Sequence, residues 1–154
     1  MTARRGYGDE TWRLAREGDA AALHKAADLL LTDSDDLNYD GHRARAFALA
    51  LDGDADEALG QLNEGWTDEW PFPSAYATDV ARIRFLAGHY DKALDALLVA
   101  TRGAERVDTS VAELATECVR REPALAGRAF RIALSGGTAW QRVENAGAVL
   151  RARF

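Results

Sequence analysis

The sequence predicts an all-helical fold of antiparallel helix pairs, and two observations predict it. Alanine occurs 31 times, whereas valine and isoleucine together occur nine times. Alanine is the strongest helix former and the β-branched residues favour strands, so composition points to helix. Gly18, Gly53 and Gly88 lie 35 residues apart, and each is followed by similar text: GDAAALHKAADL, GDADEALGQL and GHYDKALDAL. A glycine recurring between two helical patterns marks a tight interhelical turn, where positive φ carries no steric cost. Five residues on come Leu23, Ala58 and Ala93, and nine on come Ala27, Leu62 and Leu97. The small residues let paired helices approach, and the larger ones fill the space a turn later.

The elements follow in order. Helices over 9–17 and 20–31 flank Gly18, and the polar stretch TDSDDLNYD (32–40) separates them from a helix over 41–52, with Asp40 as its cap. Gly53 leads into a helix over 55–65, and the segment WTDEWPFP (66–73) is a longer connection. Helices over 74–87 and 90–102 flank Gly88. Asp108 and Thr109 are caps for a helix over 109–121. Pro123 suits the first turn of a helix over 123–135, where a missing N–H costs nothing. Gly136 and Gly137 close it, and Thr138 opens a helix over 138–152 with Gln141 completing a capping box. In that last helix Trp140, Val143, Gly147 and Leu150 recur at helical spacing, and this face is expected to cover the open end of the array.

The third copy, VARIRFLAGHYDKALDALLVA, resembles a tetratricopeptide repeat, a helix–turn–helix unit of about 34 residues. Ala81, Gly88, Tyr90, Ala93 and Leu94 fall where that family places its helix-packing residues. The second copy keeps the glycine and Ala58 but has Ala55 where Tyr90 stands, and the first has Leu23 at the small position. The resemblance covers residues 7–102. It implies one TPR-like domain over 1–154, with repeats at 7–40, 41–73 and 74–108 and capping helices over 109–154.

Function is bounded first by charge. The formal net charge is −6, with the acidic excess in residues 1–100 and a net of +3 in residues 101–154. An acidic body repels phosphate backbones, which argues against nucleic acid as a general partner. The lone Cys118 has no partner for an intrachain disulfide, and the opening MTARRGYGDETW does not resemble a signal peptide. No stretch is apolar enough to span a bilayer, so a cytoplasmic protein without membrane contact is expected. Arginine outnumbers lysine 17 to two, an association with GC-rich bacterial genomes.

In the family it resembles, the first helix of each pair lines a concave face that holds partners. Counting back from the three glycines, that implies Trp12, Arg16, Arg43, Phe47, Thr78, Arg82 and Phe85 as lining residues. Trp12, Phe47 and Phe85 offer apolar contact, and the arginines offer forked donors for carboxylates. Aromatic and Arg side chains dominate binding hot spots, so the implied partner is a protein or peptide with acidic and apolar side chains. The same residues are equally compatible with core filling and solvated charge. Trp66, Trp70 and Phe72, stiffened by Pro71 and Pro73, form a second candidate, either protruding or tucked back onto the array.

Enzymatic signatures are weaker. Asp36, Asn38, Asp40 and Gly41 spell the opening of a calcium loop, but its eighth and twelfth positions are Arg43 and Phe47, not an apolar residue and Glu. His24, His42 and His89 lack metal-ligand spacing, and Cys118 sits mid-helix as an inert thiol. The expectation is a non-enzymatic protein-interaction module without cofactor or metal. A self-associating homodimeric scaffold, or a small-molecule-binding protein or enzyme with a site built from distant residues, are the alternatives.

Overall fold

A computed structural model of the chain describes residues 10–33, 38–66 and 73–154, and the regular structure among these is entirely helical. A helical stretch over 10–16 (α1) precedes α2 (Ala20–Asp33), α3 (Asn38–Leu51), α4 (Ala55–Gly65), α5 (Pro73–Leu86) and α6 (Tyr90–Thr101). Then come α7 (Thr109–Arg121), a 3-10 turn (Pro123–Leu125), α8 (Ala126–Ser135) and α9 (Ala139–Arg153). No helix among the described residues is long and apolar enough to cross a membrane.

Backbone chemistry explains where the helices stop and start. Gly18, Gly53 and Gly88 have φ of +76°, +91° and +83°, the left-handed turn that the in-phase glycines predicted. Asp19 and Asp54 then cap the following helices, accepting from Ala22 N–H (3.0 Å) and Glu57 N–H (3.1 Å). Asp108 caps α7 by accepting from Ser110 N–H at 2.8 Å, a bond that holds its carboxyl below the usual range, with the Arg82 charge a lesser contributor. Thr138 and Gln141 form the predicted capping box of α9.

Two boundaries differ from the sequence reading. α3 begins at Asn38, so Asp40 lies in its first turn instead of capping it. A carboxylate there still suits the positive end of the helix. Pro123 initiates a 3-10 turn that runs into α8, which tightens the entry into that helix.

The described residues gather into two compact units. The first comprises those up to Trp66 together with Leu86–Gly88, and the second comprises Pro73–Phe85 and His89–Phe154. Within the first, α3 packs against both α2 and α4. Ala44, Ala46, Phe47, Ala48 and Ala50 are all buried, so α3 is enclosed nearly all round. Gly41 and Gly65 permit the close approach: a Cβ at Gly41 would lie 2.7 Å from Leu31 Cγ, and one at Gly65 2.9 Å from His42 Cβ. On the surface Arg45 ties α3 to α2 by reaching His24 Nδ1 (2.8 Å) and Asp28.

In the second unit α7 buries Val111, Leu114, Ala115, Cys118 and Val119, an i, i+3, i+4, i+7, i+8 stripe. It packs with α6, α8 and α9, and α8 packs with α6 and α9. The Gln141 side chain does double duty: besides the capping box it brackets the Val107 peptide, accepting from its N–H (3.2 Å) and donating to its carbonyl (2.9 Å). α9 buries Ala146 and Val149. Trp140, Val143 and Leu150 are exposed instead, which corrects the expectation that their face covers the array. The small residues of α9 let it pack close to α7 and α8, and that choice turns the bulky stripe to solvent.

Candidate functional site

The proposed contact residues fall into two clusters, one in each unit. In the first, the Phe47 ring meets the edge of Trp12, with centroids 5.6 Å apart and planes at 63°. The Arg43 guanidinium lies over the same ring, 4.9 Å from its centroid, one helical turn earlier on α3. An aromatic pair of this kind contributes about 0.5–1.5 kcal/mol beyond burial, and a desolvated cation over a ring up to about 2 kcal/mol.

Exposure separates these residues. Phe47 is 0% and Arg43 6% exposed, so the reading of both as open contact surface is corrected: they form the floor. The cause is the enclosure of α3, which leaves its glycine-relative register no open face. Trp12 is half-buried above them. Arg16, one turn along α1 from Trp12, is exposed and has no ion pair among the described residues. Arg13 differs, since it bridges Glu10 on the same helix and Glu17 just past its end.

The second cluster brings residues of α5, α6 and α7 together. Phe85 is half-buried, packs edge-on against Tyr90 (5.5 Å, 60°) and lies beneath Arg121 at 5.8 Å. Arg82 pairs with Asp79 at 3.1 Å, and Asp79 is 5% exposed. A carboxylate that dry needs its cation, so Arg82 serves the fold before any ligand. Thr78 donates its hydroxyl back to the Ser74 carbonyl at 2.9 Å. Nothing in the sequence of α7 signals that the Arg121 guanidinium reaches a ring 36 positions earlier.

Of the second candidate surface, Trp66 is half-buried just after α4, where its backbone N–H donates to the Asn63 carbonyl at 3.2 Å. Trp70, Pro71 and Phe72 lie outside the described residues, as does Asp36 of the calcium-like motif. The rest of that motif, Asn38, Asp40 and Gly41, has helical backbone, which does not converge alternate side chains on one ion. Among the described residues no three His, Cys, Asp or Glu side chains group to hold a metal.

Cys118 is 0% exposed, and burial, with the Glu117 charge beside it, pushes its thiol up to about 12. At pH 8 only about one thiol in ten thousand is then ionised, and none of it is accessible. Iodoacetamide is therefore expected to leave the folded protein unmodified for hours and to label it promptly in denaturant, as mass spectrometry would read. Rapid native labelling would mean that α7 opens readily. The second unit also holds a cavity of about 10 Å³ lined by Val107, Val111, Ile132, Asn145 and Val149, room for a water but not for a metabolite.

No protein-family model matches this chain, and no curated protein matches it in sequence.

Proposed function

We propose that this chain is a protein-interaction module of tetratricopeptide-like design, acting in a bacterial-type cytoplasm, that holds an apolar and acidic peptide or helix of a partner protein. The observation supporting this reading is the arrangement at α1. Trp12 is half-exposed on a floor of Phe47 and Arg43, and Arg16, one turn away, has no ion pair among the described residues. An aromatic anchor with buried backing and a neighbouring guanidinium is the composition of a binding hot spot. The partner's apolar side chain would sit on the indole, and its carboxylate would take two parallel N–H bonds from Arg16. Selection is by shape and by charge pairing, with no covalent chemistry.

The test is affinity capture from native lysate with wild type, Arg16→Glu and Trp12→Ala. Arg16→Glu alters an exposed residue and is expected to fold normally while weakening capture about tenfold, near 1.4 kcal/mol. Equal capture by a folded Arg16→Glu protein would place the interaction away from α1. The alternative of a self-associating scaffold is favoured by a separate observation, the apolar stripe left exposed on α9.

A further inference from the structure

The exposed stripe on α9 has a regular spacing. Trp140, Val143, Gly147 and Leu150 of α9, with Phe154 just past its last residue, occupy i, i+3, i+7, i+10 and i+14, two heptads of alternating three- and four-residue steps. At 100° per residue these positions span a band about 80° wide, the seam of a helix built to pair with another helix. The side chains are open: Trp140 is 75%, Val143 68%, Leu150 48% and Phe154 95% exposed. The buried residues of the same helix, Ala146 and Val149, lie on another side of it.

The charges beside the stripe indicate what covers it. Glu144 and Arg151 lie on one flank of the seam, seven residues apart, and both are exposed without an ion pair among the described residues. The Arg151 guanidinium reaches back over Gly147, with Nη1 3.2 Å from where a Cβ would stand there. On the opposite flank Arg153 is already engaged, donating to the Pro123 carbonyl at 3.1 Å. Glu144 and Arg151 are placed symmetrically about the midpoint between residues 147 and 148. A two-fold axis through that point sets Glu144 of one copy against Arg151 of the other, twice over. It also sets each Trp140 near the partner's Phe154, with the two Gly147 backbones at the crossing.

We propose that α9 docks antiparallel on α9 of a second copy of this chain, through the Trp140–Val143–Leu150–Phe154 stripe and two reciprocal Glu144–Arg151 pairs. This inference does not rest on the α1 site and uses none of its residues. An isologous contact of this kind closes at two copies. Two heptads bury less than a standard interface, so the dimer is expected to be weak, with Kd on the order of 10–100 µM.

Sedimentation over roughly 1–500 µM tests it. The wild type is expected to move from the 16.8 kDa monomer towards twice that mass as concentration rises. Trp140→Glu combined with Val143→Glu, both at exposed positions, should stay monomeric throughout with an unchanged circular-dichroism spectrum. Glu144→Arg and Arg151→Glu should each weaken association at least threefold, and the two together should restore it. A wild type that stays monomeric over the whole range overturns the proposal, as does undiminished dimerisation of the Trp140/Val143 variant. Failure of the charge swap to restore association overturns the antiparallel pairing.

Discussion

Gly136→Ala is expected to destabilise the second unit by about 3 kcal/mol or more, seen as a fall of about 10 °C in the thermal midpoint. Conformational strain is not the cause, because Gly136 has extended backbone (φ −160°, ψ 172°) that any residue adopts. Space is the cause. A Cβ there would lie 1.9 Å from the Thr101 carbonyl oxygen and 2.9 Å from its carbon, and backbone atoms have no rotamer with which to move aside. The junction is also bonded in place. Gly137 N–H donates to the Ala104 carbonyl at 2.8 Å, and the Thr101 and Ser135 hydroxyls meet at 2.7 Å. Separating the ends of α6 and α8 to admit a methyl group stretches both. Gly127→Ala is the matched control: nothing lies within 4 Å of its Cβ position in α8, so the gain in helix propensity should raise stability by up to about 1 kcal/mol. A loss below about 1 kcal/mol for Gly136→Ala would mean that α6 and α8 meet less closely than described.

Phe47→Ala is the second large effect, an expected loss of about 3–5 kcal/mol in the first unit. The side chain is fully buried at the centre of the enclosed α3, and its removal leaves a void that the surrounding alanines are too short to fill. It also strips the edge contact from Trp12 and the ring from beneath Arg43. Phe47→Leu keeps most of the volume and should cost about 1 kcal/mol. Denaturant titration of the three proteins reads the difference. If Phe47→Ala kept full stability and lost only partner capture, the ring would belong to an open binding surface and not to the floor beneath one.

These two residues also mark how much was legible in advance. The six-residue spacing back from Gly53 places Phe47 on α3 and near the proposed contact face. Whether it points to a ligand or into the core depends on what lies on either side of α3, and period alone does not carry that. Gly136 was legible as the end of a helix, because a glycine pair after an apolar run is a local stop signal. Its closest neighbour, Thr101, stands 35 residues earlier, and no local pattern reports a backbone contact at that range. The same division holds on α9. Its capping box and its apolar spacing were readable, but the side that turns inward was chosen by the small residues that fit against α7 and α8.

What the sequence by itself determined is therefore the local part: helix identity, the caps at Asp108 and Thr138, and the left-handed turns at Gly18, Gly53 and Gly88. Each follows from backbone hydrogen bonds and φ preferences that reach only a few residues along the chain. The tertiary structure alone decided which faces are spent on packing. It enclosed α3 and so removed Arg43 and Phe47 from the surface, set Arg121 over Phe85, and left the Trp140 stripe open. Burial depends on the neighbours that a helix acquires from distant parts of the chain, and a periodic pattern is the same whichever of its faces finds them.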